Sequence, residues 1–76
     1  MKSDLAEAAI GEMLTHIRER LENATAVAKA AEACAAAGNP DQAVIIVLDV
    51  EQPLYETTTF LNAASLIRRC AEASTP

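Results

Sequence analysis

Residues that can end a helix or turn the chain are scarce in this sequence, and two of them stand close together. The 76 residues include only two glycines and three prolines, too few for the frequent turns of a β-rich domain. Gly38 and Pro40 lie in the stretch GNPDQAVIIVLDV. A left-handed glycine commonly closes a helix, and proline suits the first turn of the next helix. The sequence therefore predicts an antiparallel helical hairpin that reverses direction at residues 38–39.

The apolar run after this turn is predicted to be a helix. Asn39 is a good N-cap for it, and Gln42 stands three residues later, as in a capping box. Valine and isoleucine favour strands only modestly, and the sequence offers no second strand to pair with. An isolated strand would leave its backbone groups without hydrogen bonds. We therefore expect helix from Pro40 onward.

Long helices are also predicted on both sides of this segment. Ser3 can cap a first helix that continues to residue 37, because Gly11 costs only about 1 kcal/mol relative to alanine. Pro53 either kinks the second arm or separates two helices. The expected organisation is a single all-α domain over residues 1–76, with helices at about 4–37, 40–52 and 53–73, a turn at 38–39 and a frayed end at 74–76.

Apolar residues of the first helix recur at alternating steps of three and four, which is the spacing of a seam between paired helices. A two-residue turn would set residue 37 opposite residue 40, so that this seam faces the second arm. The expected seam comprises Ile10, Leu14, Ile17, Leu21, Ala24, Ala28, Ala31 and Ala35 on the first helix, and Leu54, Leu61, Ala64 and Ile67 on the last.

Residues 43–48 are apolar on every side of their helix, and such a helix is normally buried against more than one neighbour. An alanine-rich first helix cannot cover it alone, and each large side chain left half in water would forgo about 1.5–3 kcal/mol. The sequence therefore predicts that two hairpins dimerise into a four-helix bundle through residues 44–50. A monomeric three-helix bundle with a turn at Pro53 is the alternative. The predicted self-association residues are Val44, Ile45, Ile46, Val47 and Leu48.

The net charge of −5 argues against nucleic acids and anionic membranes as partners, because both attract basic proteins. A basic protein remains a possible partner. The N-terminus lacks the apolar region of a secretory signal, and no run approaches the roughly 18 apolar residues of a membrane span. We therefore expect a cytoplasmic protein in which Cys34 and Cys70 are reduced thiols that fill small gaps between helices.

Residues with catalytic or metal-binding potential are few. His16 is the only histidine, and Glu12, Glu19 and Arg20 can share its helix face. The Glu-x-x-His pattern of di-iron bundles is absent because Met13 stands three residues before His16. We expect His16 to be solvated beside Glu12. The sequence predicts no catalytic, cofactor-binding or metal-binding residue, and hence no enzyme.

Three consecutive threonines follow Tyr55 and Glu56, although threonine is a poor helix former. They indicate either a contact surface for a partner or small ligand, or a loosened turn or polar layer that sets the register. A contact surface here would consist of Tyr55, Thr59 and Asn62.

These patterns together predict a small acidic protein–protein interaction or accessory module without catalytic activity, which self-associates through its most apolar segment. Two alternatives remain open at this level. One is a purely structural domain with no dedicated partner. The other is a bundle that binds a small ligand or a metal near His16.

Overall fold

The computed structural model describes residues 2–73, with side chains from Asp4 to Ala73. Helix α1 runs over Lys2–Ala36, α2 over Pro40–Val47 and α3 over Glu51–Ala73, and a 3-10 turn at Leu48–Val50 joins α2 to α3. No strand occurs in this part of the chain, which confirms the all-α prediction. Ser3, the expected cap, lies within α1. The predicted frayed end at 74–76 lies outside the described residues.

The turn between α1 and α2 is closed by backbone hydrogen bonds around Gly38. The N–H of Gly38 donates to the carbonyl of Ala35 at 3.0 Å, and that of Asn39 donates to the carbonyl of Cys34 at 3.1 Å. This pair of bonds is the Schellman motif, and it requires a left-handed residue at the position of Gly38. Gly38 has φ +94, as the sequence led us to expect.

Asn39 is the N-cap residue of α2, but its side chain makes no capping hydrogen bond. The expected capping box with Gln42 is therefore not formed by the Asn39 side chain. The helix starts instead from the backbone, because the Asn39 carbonyl accepts a 3.0 Å bond from the N–H of Ala43. Pro40 occupies the first turn, where its missing N–H costs nothing.

The second arm is one long helix with a bend, and the bend lies at Leu48–Val50. Pro53 has no N–H to donate, and in a regular α-helix its ring would collide with the carbonyl of residue 49. Tightening of the preceding turn into 3-10 geometry relieves this collision. The distortion therefore lies one turn before the proline, whereas the sequence placed it at Pro53 itself, which is buried within α3.

The molecule is an extended hairpin of 61 × 14 × 11 Å. The second arm bends without reversing, and α1 packs along α2, the 3-10 turn and α3. The chain thus forms two arms, in place of the three packed helices of the alternative prediction. Its radius of gyration is 17.5 Å, against about 11 Å for a compact domain of this length.

Two contacts between the arms fix their register. Nε of Arg20 lies 2.7 Å from Oε1 of Glu56, and the ring of His16 stacks on that of Phe60 with centroids 4.7 Å apart. These pairs correspond to residue 36 facing residue 40, one residue away from the expected register. The difference arises because residues 37–39 all belong to the connection.

The inward face of α1 differs from the expected seam at every second position. The expected residues that do face the second arm are Ile10, Ile17, Ala24 and Ala31, and those that prove exposed are Leu14, Leu21, Ala28 and Ala35. The vacated inward positions are taken by Met13, Arg20, Val27 and Cys34. On α3, Ala64 and Ile67 are half-buried as expected, but Leu54 and Leu61 are exposed.

The interior of the hairpin is small. Its buried members among the described residues are Ala24, Ala31, Ala43 and Pro53. Small side chains at these positions let the arms pack closely near the turn, but they remove little apolar area from water. Most of the large apolar side chains therefore remain at the surface.

Candidate functional site

The seam is bordered on its two sides by surfaces of different character. One, the polar flank, consists of His16, Gln52 and Glu56 together with the inward side chains of Arg20 and Phe60. The other, the leucine face, consists of two rows at seven-residue spacing, one on each arm. In an antiparallel pair, the rows on the same rotational side of each helix come together on one side of the hairpin. The rows of the leucine face are Leu14, Leu21 and Ala28 on α1, and Val47, Leu54 and Leu61 on the second arm.

The polar flank is held together by ring and cation contacts. The ring of His16 is stacked on that of Phe60 with an interplanar angle of 17°. The guanidinium carbon of Arg20 lies 5.5 Å from the centre of the same Phe60 ring, within range of a cation–π attraction. One aromatic ring of α3 thus organises two polar side chains of α1.

Glu56 links the two arms on this flank. Its carboxylate accepts a hydrogen bond from Nε2 of Gln52 at 3.0 Å and another from Nε of Arg20 at 2.7 Å. The amide of Gln52 and the guanidinium of Arg20 both stabilise the charged form, and they hold the pKa of Glu56 below its ordinary value of 4.5. The charged groups of this flank are therefore satisfied within one chain.

The expectation that His16 is solvated beside Glu12 is wrong. Its ring is half-buried against Phe60, and Nδ1 lies 3.8 Å from Oε1 of Glu19. This nitrogen is shielded from solvent and has no hydrogen-bond partner among the described side chains. Within residues 2–73, no group of three or more histidine, cysteine or acidic side chains is arranged to hold a metal ion.

The leucine face contains four half-exposed leucines that the chain itself does not cover. Leu14 and Leu61 are 55% and 54% exposed, and Leu21 and Leu54 are 44% and 47% exposed. An open groove runs along it between Leu14, Ile17 and Leu21. Its outer rim carries the ion pair between Arg18 and Glu22, with N···O 3.0 Å, which stays within α1.

The predicted self-association residues do not lie together on one surface of the structure. Val44, Ile45, Val47 and Leu48 are exposed, whereas Ile46 is half-buried between the arms. Val47 belongs to the leucine face. Val44, Ile45 and Ile46 point to different sides of α2, because consecutive residues of a helix are 100° apart.

The predicted contact surface of Tyr55, Thr59 and Asn62 lies exposed on the second arm. The threonine run has a local explanation. The hydroxyls of Thr57, Thr58 and Thr59 each donate to the carbonyl four residues earlier, at 2.8, 3.2 and 3.1 Å. Such bonds satisfy a threonine hydroxyl inside a helix.

The two cysteines lie at opposite ends of the hairpin. Cys34 is half-buried beside the turn, where its Sγ lies 3.5 Å from the carbonyl oxygen of Asn39. Cys70 is exposed near the end of α3. The expectation that both fill gaps between helices therefore fails for Cys70.

The sequence interpretation missed the leucine face as a surface, because it had assigned those leucines to the interior. The signal for it was present in the repeat of Leu14 and Leu21, and of Leu54 and Leu61, at steps of seven. None of the helices in residues 2–73 is both long and apolar enough to traverse a bilayer. Comparison with protein-family models, curated proteins and solved structures finds no match to this chain.

Proposed function

We propose that this chain is a non-catalytic protein–protein interaction module that works as a homodimer. The observation that carries the proposal is the surface area of the single chain. A hairpin of 8.0 kDa exposes 5469 Å², whereas a folded monomer of that mass exposes about 4,500 Å².

The excess of about 1,000 Å² is close to the roughly 800 Å² that each partner contributes to a stable interface. Much of it is apolar, since eleven large hydrophobic side chains between residues 4 and 73 are exposed. A second copy that covers this surface would give the chain the ratio of surface to mass typical of a compact domain. The predicted contact residues at 44–50 contribute part of that apolar surface.

The proposal is tested by the mass of the purified chain over a wide range of concentrations. Sedimentation equilibrium should give twice the 8.0 kDa of the chain at high micromolar concentration, and a lower average on dilution. A helical species of 8.0 kDa at every concentration would overturn it.

The salt dependence separates self-association from a basic partner, the other candidate that the net charge of −5 favours. Two acidic copies repel each other, so added salt should strengthen an apolar homodimer by screening that repulsion. Binding of a basic protein should weaken with salt, because the attraction itself is screened. Self-association that weakens strongly with salt would count against an apolar contact.

A further inference from the structure

We propose that the leucine face is the surface on which a second copy of this chain docks, with the turns of both hairpins at the same end. This inference rests on the proposed self-association and specifies its surface and its geometry. The leucine face is defined by Leu14, Leu21, Leu54 and Leu61, together with Ala28 and Val47.

The composition of the face favours a copy of itself over any charged partner. Between its two ends the rows contain only leucine, valine and alanine, so the face attracts neither a basic nor an acidic surface. An uncharged apolar strip is self-complementary, as a two-fold interface requires. The area in excess of a compact monomer is what one partner of a stable dimer buries.

A two-fold axis along the hairpin sets α1 of one copy over the second arm of the other. The layers of the resulting four-helix bundle then repeat every seven residues. Leu14 lies over Leu61 of the second copy, Leu21 over its Leu54, and Ala28 over its Val47. The groove between Leu14 and Leu21 receives an apolar side chain of the opposing arm, because layers of this kind interdigitate.

Two orientations of the second copy are possible, with the turns at the same end or at opposite ends. Charges at the end of the hairpin away from the turn favour the first of these. Seven residues beyond the leucines, the row of α1 continues to Glu7 and the row of α3 continues to Arg68, and both are exposed. With the turns at the same end, Glu7 of each copy faces Arg68 of the other. With the turns at opposite ends, both charges would lie over uncharged residues near the turn, and a charge without a partner there is unfavourable.

The first test compares two glutamate substitutions in α3 of the full chain. Leu61 and Leu66 are both 54% exposed, but Leu66 lies off the leucine face. Leu61→Glu should raise the dimer dissociation constant at least about tenfold, because each dimer then holds two charges in its apolar contact. Leu66→Glu should leave it within about twofold.

Far-UV circular dichroism establishes that each variant remains helical, and Leu61→Ala replaces Leu61→Glu if the latter unfolds. If the wild-type chain dimerises and the substitutions at Leu61 and Leu66 weaken the dimer equally, the leucine face is not the interface. The proposed self-association would still stand. The same comparison with Ile45→Glu, on the predicted contact at 44–48, would then identify the surface that is used. A wild-type monomer would overturn the proposed function together with this inference.

The orientation is tested by cross-linking in a background of Cys34→Ala and Cys70→Ala. A mixture of the Leu14→Cys and Leu61→Cys variants should form a covalent dimer faster than either variant alone, because the two positions face each other across the interface. A mixture that links no faster than either variant alone would contradict the shared end for the turns.

Discussion

On the polar flank, Arg20 of α1 reaches across the seam to Glu56 of α3 at 2.7 Å, and His16 stacks on Phe60. On the leucine face, the facing side chains of the two arms are leucines that remain about half exposed. Both surfaces border the same antiparallel seam between two helices. Their difference therefore comes from side-chain length and chemistry.

Long polar side chains can close the polar flank within one chain. The aliphatic stem of arginine lies along apolar surface while its head group finds a carboxylate, and an aromatic ring spans the gap between helices. Leucines at the edge of a two-helix pair cannot reach round in this way. Half of each side chain stays in water, and only a further helix layer can cover it. One flank is thus covered within a single chain, whereas the other stays exposed in it.

The adjacent residues Phe60 and Leu61 provide the largest expected contrast between the two flanks. Phe60→Ala removes the ring that carries His16 and Arg20, and it should lower the free energy of unfolding by about 2–4 kcal/mol, since phenylalanine is half-buried here. Leu61→Ala removes a side chain from the leucine face and should act mainly through association.

Denaturant midpoints measured at a low and a high protein concentration distinguish the two effects. The stability of a dimer depends on concentration by mass action. Phe60→Ala should shift both midpoints and keep the difference between them, whereas Leu61→Ala should shrink that difference. If the two variants change the midpoints and their concentration dependence equally, the two flanks do not have separate roles in folding and association.

The turn is shared by both flanks, because it sets the register that aligns their rows. Gly38 has φ +94, so Gly38→Ala should destabilise the hairpin by about 1–2 kcal/mol through backbone strain alone. Gly11 is a matched control, because a Cβ added at either glycine meets no atom within 4 Å. Gly11 lies in regular helix, and Gly11→Ala should stabilise by about 0.5–1 kcal/mol. If thermal unfolding shows that Gly38→Ala and Gly11→Ala change the stability in the same direction, the left-handed conformation of Gly38 is not what the turn requires.

The hairpin could be predicted from the sequence because its determinants are local. Gly38 and Pro40 interrupt a chain that contains almost no other breakers, and the turn they form is made by backbone hydrogen bonds among neighbours. The bend was harder to place, since the clash of a proline falls on the carbonyl four residues earlier. An error of one turn follows when a bend is assigned to Pro53 itself.

The seam could not be placed correctly, because α1 carries two overlapping apolar rows. Leu14 and Leu21 are more hydrophobic than Met13 and Arg20, and the pattern therefore favours the leucines as interior residues. Arg20 faces inward because the ring of Phe60 and the carboxylate of Glu56 on the second arm both attract its guanidinium group. That compensation depends on the partner arm, and no periodicity within α1 can indicate it. The leucines assigned to the interior form the candidate interface instead.

Acid should affect the two flanks in opposite directions, and this is the smallest of the expected effects. The pKa of Glu56 is lowered in the folded chain by Gln52 and Arg20. Its stabilising contribution is therefore complete above the ordinary carboxyl pKa of 4.5 and is lost as the pH falls through the lower folded value. The leucine face has no such group. Association should be strongest near the isoelectric point of about 4.6, where repulsion between copies vanishes.

The substitution Glu56→Gln isolates the first of these effects. Between neutral pH and acid pH, the denaturant midpoint of the wild-type chain should fall further than that of Glu56→Gln, because the variant has no carboxylate to protonate. Glu22→Gln is the control, since Glu22 pairs with Arg18 within α1 and does not connect the arms. If Glu22→Gln and Glu56→Gln flatten the pH profile equally, the link between the arms contributes no more than an ordinary surface ion pair. The dissociation constant measured over the same pH range should decrease toward the isoelectric point in all three proteins, because all three keep every residue of the two leucine-face rows.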